Sequence, residues 1–257
     1  MANYSITALY SGSKGNSVLI ESENAKILID AGKSARALCT ALEGVGVSID
    51  EIDAIFITHE HRDHISALEI LLKSHKIPVH IVGASARKLL LKGLSVYEEL
   101  LCLHTPVFSV EIGDMTIKSF PTPHDSEFSV GYTIKIGEKT IGYATDIGYI
   151  TSDIKNALCG CESVVLECNH DEEMLMNGPY PYDLKLRIRS NRGHLSNVDC
   201  ANFASELCFV GTQNILLAHI SEENNDPALA FDEVWSAIAD DTVNLKVAKQ
   251  HEAVKLV

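Results

Sequence analysis

The densest chemistry in this 257-residue chain is His59-Glu60-His61-Arg62-Asp63-His64, directly after the apolar run Ala54-Ile55-Phe56-Ile57-Thr58. Residues two apart on an extended segment point the same way, so His59 and His61 can offer their imidazoles to one cation. Once the chain turns into a helix, Asp63 and His64 can face a second cation close by. Neutral imidazole and carboxylate suit zinc, iron or manganese, and the lack of thiolate in the motif argues against a purely structural zinc site. An exposed histidine cluster at a helix start is the bland alternative. The spacing favours a metal-dependent enzyme or a metal-binding module.

Strand-like runs open the chain at 6–10 and 17–21, separated by the small, polar turn Ser11-Gly12-Ser13-Lys14-Gly15-Asn16. A third run, 26–30, ends in Asp30 before Ala31-Gly32. A helical period over 34–43 precedes the strand at 54–58; a helix is expected over 65–75, with Leu68, Leu71 and Leu72 on one face. A strand at 78–82 and a helix at 84–91 follow. The pattern from 108 to 143 is mostly β, with strands expected at 115–120, 129–136 and 140–144 and a turn at Gly137-Glu138-Lys139. Then come a buried strand at 163–167, a helix at 197–209, a strand at 214–218 and a helix to Ala239 capped by Asp226-Pro227. Residues 245–248 and 253–257 are expected to close the last strand. These two blocks favour two packed sheets with helices outside.

One domain spanning 1–257 is expected, because the chain supports a substantial core but not two ordinary domains and a linker. No apolar run approaches the roughly 20 residues of a membrane helix. The start, Met1-Ala2-Asn3-Tyr4-Ser5, lacks a basic region followed by an apolar stretch, so a cytoplasmic protein with no membrane partner is expected. The seven cysteines form an odd, scattered set that reads as mostly buried small hydrophobes in a reducing compartment, and Cys159-Gly160-Cys161 is poorly spaced for chelation. The net charge of -14 argues against a nucleic-acid partner. Metal ions would absorb several carboxylates, however, and Lys185, Arg187, Arg189 and Arg192 form a basic stretch free of acids. Charge alone does not decide the substrate.

A dinuclear site needs further ligands, and three groups follow apolar strands: His124 in Pro121-Thr122-Pro123-His124-Asp125, Asp146 after 142–145, and His219 after 215–218. The order and placing of these motifs resembles the metallo-β-lactamase superfamily over nearly the whole chain. The resemblance implies an α/β fold, a four-layer αβ/βα sandwich with metals at the edge between two sheets. It further implies two divalent ions, zinc, manganese or iron. His59, His61 and His124 would hold the first, Asp63, His64 and His219 the second, and Asp146 would bridge them. Asp30 resembles an acid that orients the histidine loop without binding metal. The strings Ser11-Gly12-Ser13-Lys14-Gly15-Asn16-Ser17, Thr58-His59-Glu60-His61, Glu167-Cys168-Asn169-His170-Asp171, Gly193-His194-Leu195-Ser196-Asn197 and His219-Ile220-Ser221-Glu222-Glu223-Asn224-Asn225 resemble the bacterial YycJ family, also called WalJ or VicX. That resemblance implies 5′-to-3′ exonuclease activity on DNA and, by operon context, a link to a cell-wall two-component system.

Two divalent ions about 3.5–4 Å apart lower the pKa of a bound water and clamp the attacking and leaving oxygens of an in-line displacement. A metal-bound hydroxide is therefore the expected nucleophile on a phosphodiester. His194 matches by position the non-ligand histidine of related phosphodiesterases such as transfer-RNA 3′-processing enzymes. It is the expected proton donor, with Glu167 orienting it and favouring its charged form; the alternative is a helix-start residue before a Ser196/Asn197 cap. Asp63, Glu167 and His194 make up the candidate catalytic set. Arg187, Arg189 and Arg192 can hold phosphate through their forks, or form a solvated helix face. Ser13 and Asn16 can line the substrate groove, or belong to a plain hairpin turn. His170 is open between a site role and none, while His75, His80, His104 and His251 are expected at the surface or in packing.

A β-lactamase is disfavoured because Asp146 stands where those enzymes commonly use cysteine. Glyoxalase II shares His-x-His-x-Asp-His, so a thioester hydrolase survives that motif alone; the His194 string and the arginines tilt the balance to phosphodiester cleavage. The stretch between Asp146 and His219 is too short for the extra β-CASP domain of ribonuclease J. A small-substrate phosphodiesterase resembling the cyclic phosphodiesterase of the phosphonate pathway, and a non-catalytic regulatory binding protein, are the remaining alternatives. Nucleic acid, DNA before RNA, or a small phosphodiester is the expected partner, and no motif speaks to oligomeric state.

Overall fold

The computed structural model describes residues 3–91 and 98–257; residues 1–2 of the amino-terminal stretch considered above lie outside the described residues. Fourteen strands form two seven-stranded sheets among these residues. The first runs β14 (Val254–Lys255), β1 (Ser5–Tyr10), β2 (Ser17–Glu21), β3 (Lys26–Ile29), β4 (Ala54–Phe56), β5 (Val79–Val82), β6 (Leu101–His104). The second runs β13 (Asn244–Val247), β12 (Asn214–Ala218), β11 (Ser163–Glu167), β10 (Lys139–Ala144), β9 (Ser129–Ile136), β8 (Met115–Thr122), β7 (Ser109–Ile112). Each sheet is antiparallel on one side and parallel on the other. Pairing is parallel from β3 to β6 in the first and from β10 to β13 in the second. Parallel neighbours end at the same edge, and there the histidine and aspartate loops gather.

Strand alternation sorts the core into layers. On β2 and β3, Val18, Ile20, Ile27 and Ile29 face the second sheet, whose Val130, Tyr132, Ile134 and Val165 meet them in the central layer. The alternate residues Leu19 and Leu28 face outward onto α1 (Ala35–Gly44) and α3 (Leu68–Ser74) through Leu38, Leu42, Leu68 and Leu71. On the far side, Val164, Leu166, Ile215 and Leu217 pack under α8 (Asn197–Phe209) and α9 (Pro227–Ile238), which supply Phe203, Leu207 and Val234. Helices, sheet, sheet and helices give the four-layer αβ/βα sandwich.

Two expectations change. The helix over 65–75 is two pieces, α2 (Arg62–Ile65) and α3, because Ala67 N donates to Ala31 O at 2.9 Å and ties the break to the segment after β3. Residues 245–248 and 253–257 do not close one strand. The former region forms β13 at the edge of the second sheet, and the latter contributes β14, which pairs with β1 in the first. The helix expected at 84–91 is α4 (Gly83–Leu91); short helices α5 (Ser152–Leu158) and α6 (Glu172–Asn177) were not foreseen, while α7 (Tyr182–Ile188) supplies the helix face that was one alternative for the start of the basic stretch. His80 and His104 sit in packing as expected, 2.9 Å apart and stacked between Phe56 and Phe108.

Candidate metal-dependent active site

The first sheet presents its groups through one loop. Asp30, fully buried just past β3 and held at φ 63°, accepts from Thr58 N at 2.8 Å, Thr58 Oγ1 at 2.9 Å and His64 Nδ1 at 2.7 Å. That bond turns His64 Nε2 toward Asp63 Oδ2 at 3.3 Å and Asp146 Oδ2 at 3.4 Å. Thr58 Oγ1, donating to Asp30, accepts from His59 Nδ1 at 3.0 Å, so the lone pair of His59 lies on Nε2. The loop is tightly seated: Asn16 N donates to Asp63 O and Ala31 N to His64 O, both at 2.8 Å. A Cβ on Gly32 would fall 2.0 Å from Asp63 O, so only glycine allows this approach.

The second sheet contributes one group per strand end. His124, beyond β8, donates from Nδ1 to Gly193 O at 3.1 Å and brings Nε2 to 3.3 Å from His61 Nδ1. Asp146 and His219, beyond β10 and β12, both adopt φ 57°, a left-handed turn open to aspartate and histidine at some cost in strain. Glu167 closes β11 fully buried. Its Oε1 accepts from His194 Nδ1 and His219 Nδ1 at 2.8 Å each, and its Oε2 from Ile147 N at 2.8 Å and Leu195 N at 3.2 Å. His194 is thereby left with Nε2 free at the pocket wall. A Cβ on Gly193 would meet Ile188 O at 2.0 Å, so this loop too rests on a close backbone approach.

Three buried atoms in this cluster lack a hydrogen-bond partner among the described residues: His59 Nε2, Asp146 Oδ2 and His219 Nε2. Buried polar atoms are seldom left unpaired, and these three belong to sets whose ligand atoms lie within 4.8 Å of one another: His59, His61 and His124; His59, His64 and Asp146; Asp63, His64 and His219. Imidazole and carboxylate are donors for zinc, manganese or iron. The residues fit the divalent cations the fold implies. Glu167 and His194 adjoin Asp146 and His219 in the same way, but the four N–H groups on Glu167 mark it as an orienting acid rather than a ligand.

The electrostatics agree. Burial and the nearby His64 push the His59 imidazole well below its ordinary range, and burial lowers His124, leaving both neutral with lone pairs to offer. Burial opposes the charge on Asp63, yet His64 and His219 hold its pKa far down. Asp146 is likewise lowered against its burial, by His219 and His64. Glu167 is held at about 2 by His194 and His219 despite complete burial. Against its own burial, His219 is raised to about 10 by Asp146, Asp63 and Glu167. A cation taking the place of such protons meets carboxylates already ionised.

The pocket over the cluster, about 260 Å³, is walled by Ser13, Tyr180, Leu184, Arg187 and His194. The basic stretch 185–192 divides. Arg187 lines the pocket and pairs with Asp125, and Arg189 is exposed, 3.6 Å from Met176 Sδ. Arg192, expected on phosphate, instead donates from Nε and Nη2 to His124 O at 3.1 and 2.9 Å. Lys185 is buried, donating to Met176 O and Gly178 O at 2.8 Å. Asn16 also departs from its groove-lining expectation: it is 2% exposed, with Nδ2 3.2 Å from Asp63 Oδ2 and from His64 Nε2, where it braces the ligands. Ser13 does line the pocket. His170 is buried beside Ser196 and lowered by burial to about 4. Sequence reasoning missed Glu60, which points away from the ligands and accepts from Lys88 Nζ and Glu127 N at 3.0 Å. A lone acid between two histidines on an extended segment signals that opposite face. It also missed Asn169, whose Nδ2 donates to His219 O at 2.8 Å.

A model of the β-lactamase superfamily domain matches residues 25–220. Exodeoxyribonuclease YycJ of Bacillus anthracis is 32% identical over 230 residues, covering 87% of this chain and 85% of its own. Exodeoxyribonuclease WalJ of Streptococcus pneumoniae is 34% identical over 233 residues, covering 88% and 84%. Among solved structures, the metallo-β-lactamase fold protein YhfI of Bacillus subtilis superposes with a TM-score of 0.74 over 98% of this chain and 99% of its own, at 18% identity, a likeness of fold.

Proposed function

Because this chain belongs to the metallo-β-lactamase superfamily of metal-dependent hydrolases, and within it to the family of the YycJ and WalJ exodeoxyribonucleases, we propose that it is a dinuclear phosphodiesterase degrading DNA from 5′ to 3′. His59, His61 and His124 would hold one cation, Asp63, His64 and His219 the other, with Asp146 between them. When bound, the ions supply Lewis acidity toward the phosphate oxygens and lower the pKa of water.

The observation that carries the reading is His194. It is no ligand in this assignment, yet Glu167 fixes its Nδ1 at 2.8 Å and it borders the pocket. With Nδ1–H committed to Glu167, Nε2 is the nitrogen that delivers a proton to the departing oxygen. Asp63, ionised between His64 and His219, accepts a hydrogen bond from the attacking water and aims it. Arg187 stands where it can meet a non-bridging phosphate oxygen.

A second reading, a small phosphodiester substrate, draws support from the pocket itself: about 260 Å³ falls below the roughly 300–1,000 Å³ of ordinary ligand sites. A time course on 5′- and 3′-labelled linear DNA with manganese or zinc separates the two. We expect stepwise loss from the 5′ end, absent in Asp146→Ala and reduced about 100-fold or more in His194→Ala. Intact DNA alongside brisk cleavage of bis(p-nitrophenyl) phosphate would transfer the assignment to the small-substrate reading.

A further inference from the structure

Beside the active pocket runs a second groove, about 510 Å³, bordered by Ser13, Lys14, Lys33, Arg62, Asp63 and Ser66. Ser13 and Asp63 line both, so the groove continues the pocket on the side away from Tyr180 and α7. Its three cations come from three separate segments: the turn after β1, the bend after β3 and the first residue of α2. Such convergence is conspicuous in a chain of net charge -14.

The three differ in what already holds them. Lys14, its side chain 67% exposed, pairs with Glu222 at 2.5 Å, a contact that water and salt screen easily. Lys33 Nζ bonds to the Gln250 carbonyl and lies 3.0 Å from His251 Nδ1, so it adds field rather than a free donor. The Arg62 guanidinium has no ion pair or hydrogen bond among the described residues, although it sits between two ligand residues in sequence. Lys33 holds φ 57°, a left-handed conformation that a long side chain rarely adopts. Asp63 is the carboxylate on the groove wall, and it faces the proposed cation cluster.

We propose that this groove carries the polynucleotide backbone leaving the active pocket, with Lys14 and Arg62 contacting phosphates next to the scissile one and Lys33 reinforcing their field. The inference rests on the nuclease reading and extends it: while Arg187 of α7 meets the scissile phosphate, the grip on the neighbouring phosphates lies on the loops after β1 and β3 and on α2. Neutralising a phosphate releases counterions, so each lost contact lowers the salt slope of affinity by about 0.7 for a single strand or 0.9 for a duplex.

The test is the KM for labelled linear DNA measured across a series of potassium chloride concentrations, in the wild-type enzyme and in Lys14→Ala/Arg62→Ala. We expect the double variant to raise KM at least about tenfold at low salt and to flatten the log–log salt dependence by about 1.4–1.8. The charge-keeping pair Lys14→Arg/Arg62→Lys should retain the wild-type slope. Wild-type DNA degradation with an unchanged KM and slope in the alanine variant overturns the groove while leaving the nuclease reading intact. A slope equally lost in the charge-keeping pair also overturns it, since structure rather than charge would then be responsible. A wild-type enzyme that leaves DNA untouched removes the nuclease reading and this proposal with it.

Discussion

The first sheet delivers its share of the site through one six-residue loop, whereas the second delivers His124, Asp146, Glu167, His194 and His219 from separate strand ends and connections. The loop is organised by a single buried acid, Asp30, which touches Thr58 and His64 directly and His59 through Thr58. The strand-end groups have a more distributed support. Glu167 joins His194 to His219, Gly193 O accepts from His124, Asn169 donates to the His219 carbonyl, and Arg192 clasps the His124 carbonyl. Ligands adjacent in sequence can share one organiser; ligands brought from distant strands need a brace at each junction.

The sharpest way to break this contrast is Asp30→Ala. It strands the His64 Nδ1–H and Thr58 N–H in a fully buried setting, and losing one partner of such a network costs about 3–5 kcal/mol. Chemical denaturation of the metal-free protein should read that loss, and metal analysis should find both cation positions depleted, because His59, His61, Asp63 and His64 share the loop. His124→Ala should instead leave stability within about 1–2 kcal/mol and weaken binding chiefly at the His59–His61 position. Equal effects from the two variants would show that the halves are organised alike.

The same contrast explains what could be read in advance. The His59–His64 cluster is visible because its members are covalent neighbours, and His124, Asp146 and His219 because each follows an apolar strand. The hydrophobic periods also anticipated most of the strands and the large helices, though not the edge strand β6. Asn16 lies in the hairpin turn that was one alternative for it, but its brace on the ligands stayed hidden because its partners Asp63 and His64 reach it only when two loops meet. The break between α2 and α3 depends on Ala31, a residue far back in sequence. The basic stretch 185–192 looked like a phosphate clamp, yet the acceptors of Lys185 and Arg192 are main-chain carbonyls, which residue types do not advertise. Lys14, Lys33 and Arg62, scattered along the chain, acquire a common groove only in three dimensions.

Glu167→Gln probes the distributed half with an intermediate effect. A carboxamide cannot accept from both histidines on Oε1 and two main-chain N–H groups on Oε2, so one contact must become a donor–donor clash. Activity should fall about 10–100-fold, as for other groups that orient metal ligands. The pH profile adds a signature that mere loosening would not give. Glu167 is lowered from 4.5 to about 2, so its stabilisation is present above pH 4.5 and is lost as pH falls through 2. His219 is raised from 6.5 to about 10, so its stabilisation is complete below pH 6.5 and is lost as pH rises through 10. In the metal-free protein Glu167→Gln should therefore flatten the acid limb and draw the alkaline limb to lower pH. An unaltered profile would mean that Glu167 is not the shared partner.

The smallest effect, and the finest test of bracing against substrate grip, belongs to Arg192→Ala. Arg192 is exposed overall, and its bonds to the His124 carbonyl compete with water, so a loss of about 1 kcal/mol is expected. If its work is to hold the loop that presents His124, the damage should appear as a severalfold lower kcat with bis(p-nitrophenyl) phosphate as well as with DNA, and the salt dependence of KM should not move. A phosphate contact has the opposite signature: a shallower salt slope on DNA and an unchanged small-substrate rate. The two cationic regions thus separate by substrate as well as by position, because a brace serves whatever molecule occupies the metal centre, while a backbone contact matters only to a chain long enough to reach it.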